Sequence, residues 1–250
     1  MGARRRFALQ LVIVASALAV WECASRLGFV DARLLPPPSL VAATMYDLLS
    51  NSDLPSQLLV TIGEVLAAFI VACPIGLAIG ILIAENGYVG AVIKPFFYFG
   101  SSVPKSIFLP IFMLAFGIGF AEKMVFGFFQ AVFPLVIASM LAVDAVPAEL
   151  VRVARAYGAT RWQIYLQIQW PAMLPLVIEG VRLGILFAIT GVLFAEMTAA
   201  RSGLGSRIFV WGEDFQIPEL MAGIALAAIV GIVANESLRF YERRLGRWRQ

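Results

Sequence analysis

The side chains in this sequence that could do chemistry are few, and none is arranged for covalent catalysis. No histidine occurs among the 250 residues, which removes the commonest general base at neutral pH and the commonest nitrogen ligand for a metal. Cys23 and Cys73 stand far apart, and Cys73 lies within an apolar run, so both read as small packing residues rather than a disulfide framework. There is no G-x-x-x-x-G-K-[ST] phosphate loop, hence no nucleotide cradle of that type. What remains is the chemistry of ion pairing and recognition. Glu179 and Arg182 are three residues apart, so they share a helix face and can pair there. Gln130, Ser139 and Thr190 are isolated polar groups in apolar surroundings, and Glu196 precedes the glycines Gly203 and Gly205. The densest group is residues 149–171, ELVRVARAYGATRWQIYLQIQWP, which carries Arg152, Arg155 and Arg161 between two apolar stretches. Such a segment is either a connector or a surface on which a partner docks.

The elements that must position these groups are membrane helices. The chain is 61% hydrophobic and 14% charged, with a mean hydropathy of +0.88, whereas soluble domains hold about 45–50% apolar and about 25% charged residues. Its apolar runs are continuous rather than alternating, which excludes a transmembrane barrel and leaves spanning helices of roughly 20 residues each. The reading is an all-α polytopic membrane protein with about six spans. The first runs from Phe7 to about Ala24, as a retained signal-anchor. Pro36-Pro37-Pro38 stiffens the following segment, and Ser39 is placed to cap an amphipathic surface helix over Leu40–Leu49. The second span covers Gln57–Ile83, with Gly76 and Gly80 as a small-x-x-x-small pair. A polar turn is expected over 85–94. The third apolar region, Pro95–Gly117, is broken by Pro104, Lys105 and Pro110, and reads as a short helix, a bend and a third span. The fourth, fifth and sixth spans are expected over about Met124–Val143, Ala172–Met197 and Glu219–Glu236, with a Gly-rich amphipathic segment over 198–218. The corresponding organisation is an N-terminal span and surface segment (1–57), a core (58–240) containing the loop 144–171, and a basic tail (241–250).

Six spans place both termini on one side. With that side cytoplasmic, the inner segments hold thirteen basic residues, including Arg4, Arg5, Arg6, Lys94, Lys105 and the loop and tail arginines, against five outside, Arg26, Arg33, Lys123, Arg201 and Arg207. Positive residues concentrate on the cytoplasmic side, so residues 144–171 are expected there. The net charge of +3 reports this topology rather than nucleic-acid binding. Gradient-driven carriers usually hold ionisable groups within their spans, and the scarcity of such groups here points to a pore-forming subunit powered by another chain.

The spacing within 152–171 resembles the cytoplasmic motif of ATP-binding-cassette importer permeases, E-A-A, three residues, G, nine residues, I-x-L-P. Arg152, Val153 and Ala154 occupy the E-A-A positions, Gly158 is the motif glycine, Ile168 the isoleucine and Pro171 the proline, with Trp170 where leucine is usual. Arg152 reverses the charge of the family's glutamate. Leu34-Leu35-Pro36-Pro37-Pro38-Ser39, the Pro104–Pro110 segment and the run from Ala195 through Glu196, Thr198 and Arg201 to Gly205 are similar to the nitrate, sulfonate, taurine and bicarbonate uptake branch.

The resemblance implies a type I importer permease fold with a cytoplasmic coupling helix. Arg152, Ala154, Arg155, Tyr157, Gly158, Arg161, Ile168 and Pro171 would couple to the ATPase, and Glu196, Thr198, Gly203 and Gly205 would belong to the translocation path or outer gate. It implies a homodimer in the bacterial inner membrane, a cytoplasmic dimer of ATP-binding subunits, an external solute-binding protein and a small-molecule substrate. The chain itself would hold no catalytic residue, cofactor or metal. Alternatives left open are a gradient-driven transporter or channel subunit, a non-transporting membrane scaffold, and an ATP-driven importer of a pyrimidine-type vitamin precursor.

Overall fold

The computed structural model describes residues 3–199 and 201–245, and among them all regular structure is helical. Ala200 and the tail residues 246–250 lie outside the described residues. Five helical stretches are long and apolar enough to cross a membrane: Ala8–Arg26 of α1 (Ala3–Arg26), α3 (Leu54–Glu85), α6 (Phe120–Asp144), the continuous Arg161–Thr198 and Ile217–Phe240 of α11 (Ile217–Leu245). A sixth crossing is the pair formed by α4 (Gly87–Ser102) and Lys105–Phe116, bent by 86°. The second half of that pair is a short 3-10 turn, Lys105–Phe108, followed by α5 (Leu109–Phe116).

Helix α6 is the centre. It packs along α3 on one side and α9 (Trp170–Ala199) on the other, around Val65, Ala72, Ala131, Leu135, Ala188 and Val192. Lipid is as apolar as a leucine side chain, so spanning helices gain from close contact between small residues rather than from the hydrophobic effect. Gly76 and Gly80 supply that contact with α6. A Cβ on Gly76 would sit 2.6 Å from Leu135 Cβ, and one on Gly80 would run into the Val136 carbonyl and Ser139 Cβ. Gly127, Gly184 and Gly191 play the same part between α6 and α9. Gly80→Val is therefore expected to force α3 off α6, lowering stability by roughly 1–3 kcal/mol as overpacking does. Thermal unfolding in detergent measures it, and an unchanged midpoint would contradict the close-contact account.

Four local expectations are corrected. Ser39 does not cap the surface helix. Helix α2 (Pro38–Asn51) is capped by Glu22 of α1, whose carboxylate accepts from the Ser39 N–H at 3.0 Å and the Ser39 hydroxyl at 2.7 Å, a favourable place for negative charge against the helix dipole. The polar stretch 85–94 is not a turn. Only Asn86 interrupts the helix, its side chain accepting from the N–H groups of Tyr88 and Val89. The third apolar region is not a straight span after a bend, because α4 itself fills its first half.

The fifth span starts well before Ala172. Thr160 and Gln163 form a reciprocal capping box that opens α8 (Arg161–Ile164), satisfying two otherwise free N–H groups. The helix then runs on without a break into α9. Pro171 lacks an N–H and its ring crowds the carbonyl four residues back. The chain meets this by widening into a π-helical turn over Tyr165–Gln169, where the Trp170 N–H reaches the Tyr165 carbonyl.

Candidate functional site

Two regions collect the polar side chains, one at each end of the bundle. At the first, α6 ends at Asp144, whose carboxylate takes the Lys94 ammonium of α4 at 2.6 Å. Helix α7 (Ala148–Ala156) follows. It is amphipathic, with Leu150, Val151, Val153 and Ala154 among Arg152 and Arg155, yet it buries none of its residues. An amphipathic helix normally packs its apolar side away. Here Leu150 and Val153 stay half exposed, Tyr157 is 88% exposed and Trp162 72%.

The turn after α7 is set by Gly158. Its φ is +78°, its N–H bonds to the Arg155 carbonyl, and the next N–H, from Ala159, reaches Ala154. That is a Schellman ending, in which glycine takes the left-handed conformation. Trp162 and Tyr165 then meet edge to face at 6.2 Å, and Ile168 is half-buried while Pro171 faces outward within the helix. Arg152 pairs with Glu149 on its own helix at 3.1 Å, with both groups exposed. Arg155 and Arg161 line an open cleft of about 890 Å³ with Glu85, Tyr165 and Gln169. The structure thus gathers Arg152, Ala154, Arg155, Tyr157, Gly158 and Arg161 on one protruding turn, with Ile168 and Pro171 further along the helix it feeds.

At the opposite end, a buried polar network ties three helices to the loop before α10 (Leu204–Glu213). Glu196 of α9 is 1% exposed. Its carboxylate accepts from the Thr61 hydroxyl of α3 at 2.7 Å and from the Gly205 N–H at 2.7 Å. The same Thr61 oxygen accepts from Leu204 N–H at 2.8 Å, and Gln57 accepts from Gly203 N–H at 2.7 Å. Gly203 has φ +106°, and a Cβ there would fall on the Glu196 carboxylate. A side chain is excluded by space as well as by conformation. Thr198 lies outside the network, exposed, with its hydroxyl turned back on the Phe194 carbonyl at 2.9 Å. Glu196 and Gly205 are therefore joined, Gly203 completes the turn, and Thr198 stands apart.

Beside Glu196 lies a pair that sequence reasoning missed. Lys123 of α6 and Glu64 of α3 form an ion pair with both side chains 2% exposed, and the Lys123 ammonium also donates to the Ser202 carbonyl at 3.4 Å. The topological count places Lys123 among the free outer charges, and the structure corrects this. The available signal was a lysine and a glutamate at the matching ends of neighbouring antiparallel spans. Lys105 is corrected likewise. It is not a residue of the inner surface but is buried at the break of the bent pair.

At the rim, Arg207 of α10 pairs with Asp53 just before α3. The Arg207 guanidinium first, and the Gln57 amide after it, hold the Asp53 carboxyl below the usual carboxylate range. Because its pKa is lowered in the folded protein, the pair contributes above the ordinary aspartate pKa and is lost as pH falls through the folded value. The groups are exposed, so the effect is small. Arg207→Ala should lower the unfolding temperature slightly at neutral pH and not at all in strong acid. A larger difference in acid than at neutrality would contradict this assignment.

Comparison with known proteins agrees with this architecture. Residues 76–249 match the sequence profile of the family described as binding-protein-dependent transport system inner membrane component. The chain is 30% identical to the putative aliphatic sulfonates transport permease protein SsuC of Bacillus subtilis, covering 96% of this chain and 87% of the relative. It is 30% identical to the riboflavin transport system permease protein RibX of Chloroflexus aurantiacus, over 92% and 86%. It is 26% identical to the taurine transport system permease protein TauC of Escherichia coli, over 98% and 90%. Among solved structures, an inward-facing MetNI methionine ABC transporter chain superposes with a TM-score of 0.61 at 17% identity, covering 84% of this chain and 97% of that one. The likeness establishes the shared fold. The match over most of the chain shows that this protein belongs to the family of binding-protein-dependent transport system inner membrane components.

Proposed function

We propose that this chain is the membrane-spanning subunit of an ATP-driven importer for a small anionic solute, such as a sulfonate or nitrate, working as a pair of identical copies by alternating access. ATP hydrolysis belongs to a separate pair of cytoplasmic subunits, and a solute-binding protein delivers the substrate from outside. Both termini and α7 lie in the cytoplasm, a placement supported by the positive-inside bias, which survives when Lys105 and Lys123 are set aside. In this reading residues 58–240 form the permease core, 144–171 its coupling loop, 1–57 an accessory span with a surface helix, and 241–250 a basic tail.

The observation that carries the proposal is α7. An amphipathic helix that buries nothing in its own chain, followed by a glycine-hinged turn with Tyr157 and Trp162 exposed, has the form of a docking surface, since rigid aromatic side chains anchor interfaces. The anionic class of substrate is supported by relatives named for aliphatic sulfonates, taurine and nitrate. The network around Glu196 sets the shape of the outer mouth, with Gly203 and Gly205 as its turn. The test is reconstitution of the chain with its ATPase subunit and binding protein in proteoliposomes. Hydrolysis stimulated by the loaded binding protein, with uptake that needs ATP, is the expected result. Uptake unchanged by removal of the ATPase would overturn the reading in favour of a gradient-driven carrier.

A further inference from the structure

We propose that Lys105, together with Gln130, is the point inside the membrane where the transported anion is recognised, an inference that rests on the anion-importer reading above. Lys105 begins the 3-10 turn at the break of the 86° bend between α4 and α5. It is 7% exposed. Its ammonium lies 4.8 Å from the centre of the Phe133 ring, and Phe133 is halfway along α6. Lys105 therefore sits near mid-depth in the bundle. A cation at that level is costly and marks a functional pathway in membrane proteins.

Its partners within the chain do not account for it. An ammonium has three N–H donors, and Lys105 donates one hydrogen bond, to the Ser101 carbonyl at 3.2 Å. That bond closes the last turn of α4, a task a neutral amide could perform. No carboxylate pairs with Lys105 among the described residues, although every other buried cation in this bundle has one: Lys123 has Glu64, and the half-buried Arg182 has Glu179.

The surroundings of Lys105 form a seam rather than a closed core. Phe126, Gln130 and Phe133 are spaced i, i+4, i+7 and so lie along one stripe of α6. Phe126 touches Phe112 of α5 and Phe194 of α9, and Phe133 lies under Lys105. The stripe is thus the line along which α9 and the bent pair approach each other. Gln130 occupies its middle. It is half-buried, it lies against Gly191 of α9, and its amide has no hydrogen-bonding partner among the described residues. Next to Gly191, the exposed Thr190 turns its hydroxyl back on the Leu186 carbonyl at 2.9 Å.

A sulfonate or nitrate offers acceptor oxygens and negative charge and no donor. Two ammonium N–H groups and a free amide NH2 along an aromatic seam are its complement. Charge-assisted hydrogen bonds of this kind are about twice as strong as neutral ones, and the phenylalanines of the seam, by excluding water, strengthen them further. Lys105 supplies the charge and Gln130 fixes orientation.

The test uses the assembled transporter, permease with ATPase and binding protein, in proteoliposomes. ATP-dependent uptake of ethanesulfonate and of nitrate is measured for the wild type, Lys105→Gln, Lys105→Arg and Gln130→Leu, with assembly judged by co-purification of the ATPase. Lys105→Gln keeps a donor for the Ser101 carbonyl and removes the charge. The expected result is a KM for the carried anion raised about tenfold or more, with partial recovery in Lys105→Arg and a smaller rise in Gln130→Leu. A merely structural role would lower yield and maximal rate and leave KM alone. Wild-type KM in Lys105→Gln overturns the proposal and leaves the importer reading standing. Wild-type protein that takes up neither anion overturns the anion reading, and this proposal with it. If Lys105→Gln does not assemble, Lys105→Arg and Gln130→Leu decide: raised KM supports the proposal, and unchanged KM in both overturns it.

Discussion

Replacing Lys123 with methionine should cost about 3–5 kcal/mol of stability, the loss seen when one partner of a buried ion pair is removed. The side chains of Lys123 and Glu64 are both 2% exposed, so nothing from solvent can take the lysine's place. The local supply of donors is already short, since one Glu64 oxygen and one Glu122 oxygen are buried without a hydrogen-bond partner. The Ser202 carbonyl would lose its contact as well, and with it one tie between α6 and the loop that Glu196 braces. Thermal unfolding in detergent is the measurement, and a double-variant cycle isolates the pair. Lys123→Met with Glu64→Gln together should recover much of the single-variant loss, because the second change removes the unpaired charge. Equal losses in the single and double variants would show that the two side chains are not coupled.

The second large effect is expected at Gly158 and should fall on energy transfer rather than folding. Gly158→Val should abolish ATPase association or binding-protein-stimulated hydrolysis while leaving membrane insertion intact. No atom lies within 4 Å of a Cβ built at this position, so the substitution clashes with nothing. The obstacle is the φ of +78°, which costs an L-residue roughly 1–2 kcal/mol and a β-branched one more. The turn would reopen, and α7 would leave the position from which Tyr157 and Trp162 project. Gly158→Asn should be milder, since asparagine visits the left-handed region. A purified Gly158→Val complex with its ATPase in full stoichiometry and undiminished stimulated hydrolysis would sink the docking account.

The sequence makes the apolar elements plain and their ends obscure. Hydropathy finds α3, α6 and α11 because lipid demands long apolar helices, and the glycine–isoleucine–proline spacing finds the turn at Gly158. Where the reading stops short, a polar residue is serving the interior. Lys123 counts as a surface charge until Glu64 is known to face it. Ser39 looks like a cap until Glu22, seventeen residues away, takes the role. The start at Arg161 is hidden because Pro171 suggests an ending, whereas the π turn before it lets the helix continue. Glu196 is legible as important and not as a brace, since its partners Thr61 and Gly205 are brought to it by three different elements.

That unbroken helix has a mechanical meaning. Residues 161–198 form a single rod of 38 residues, about 57 Å long at 1.5 Å per residue, while the hydrocarbon core is about 30 Å thick. Almost half of its length is left over to work outside the lipid. One end is reached through the hinge at Gly158, and the other carries Glu196 and the loop it holds. A rod of that length turned by about 10° swings its ends apart by roughly 10 Å relative to one another. A modest rocking stroke delivered at the hinge would therefore arrive at the far mouth enlarged, with the π turn as the compliant joint in the lever.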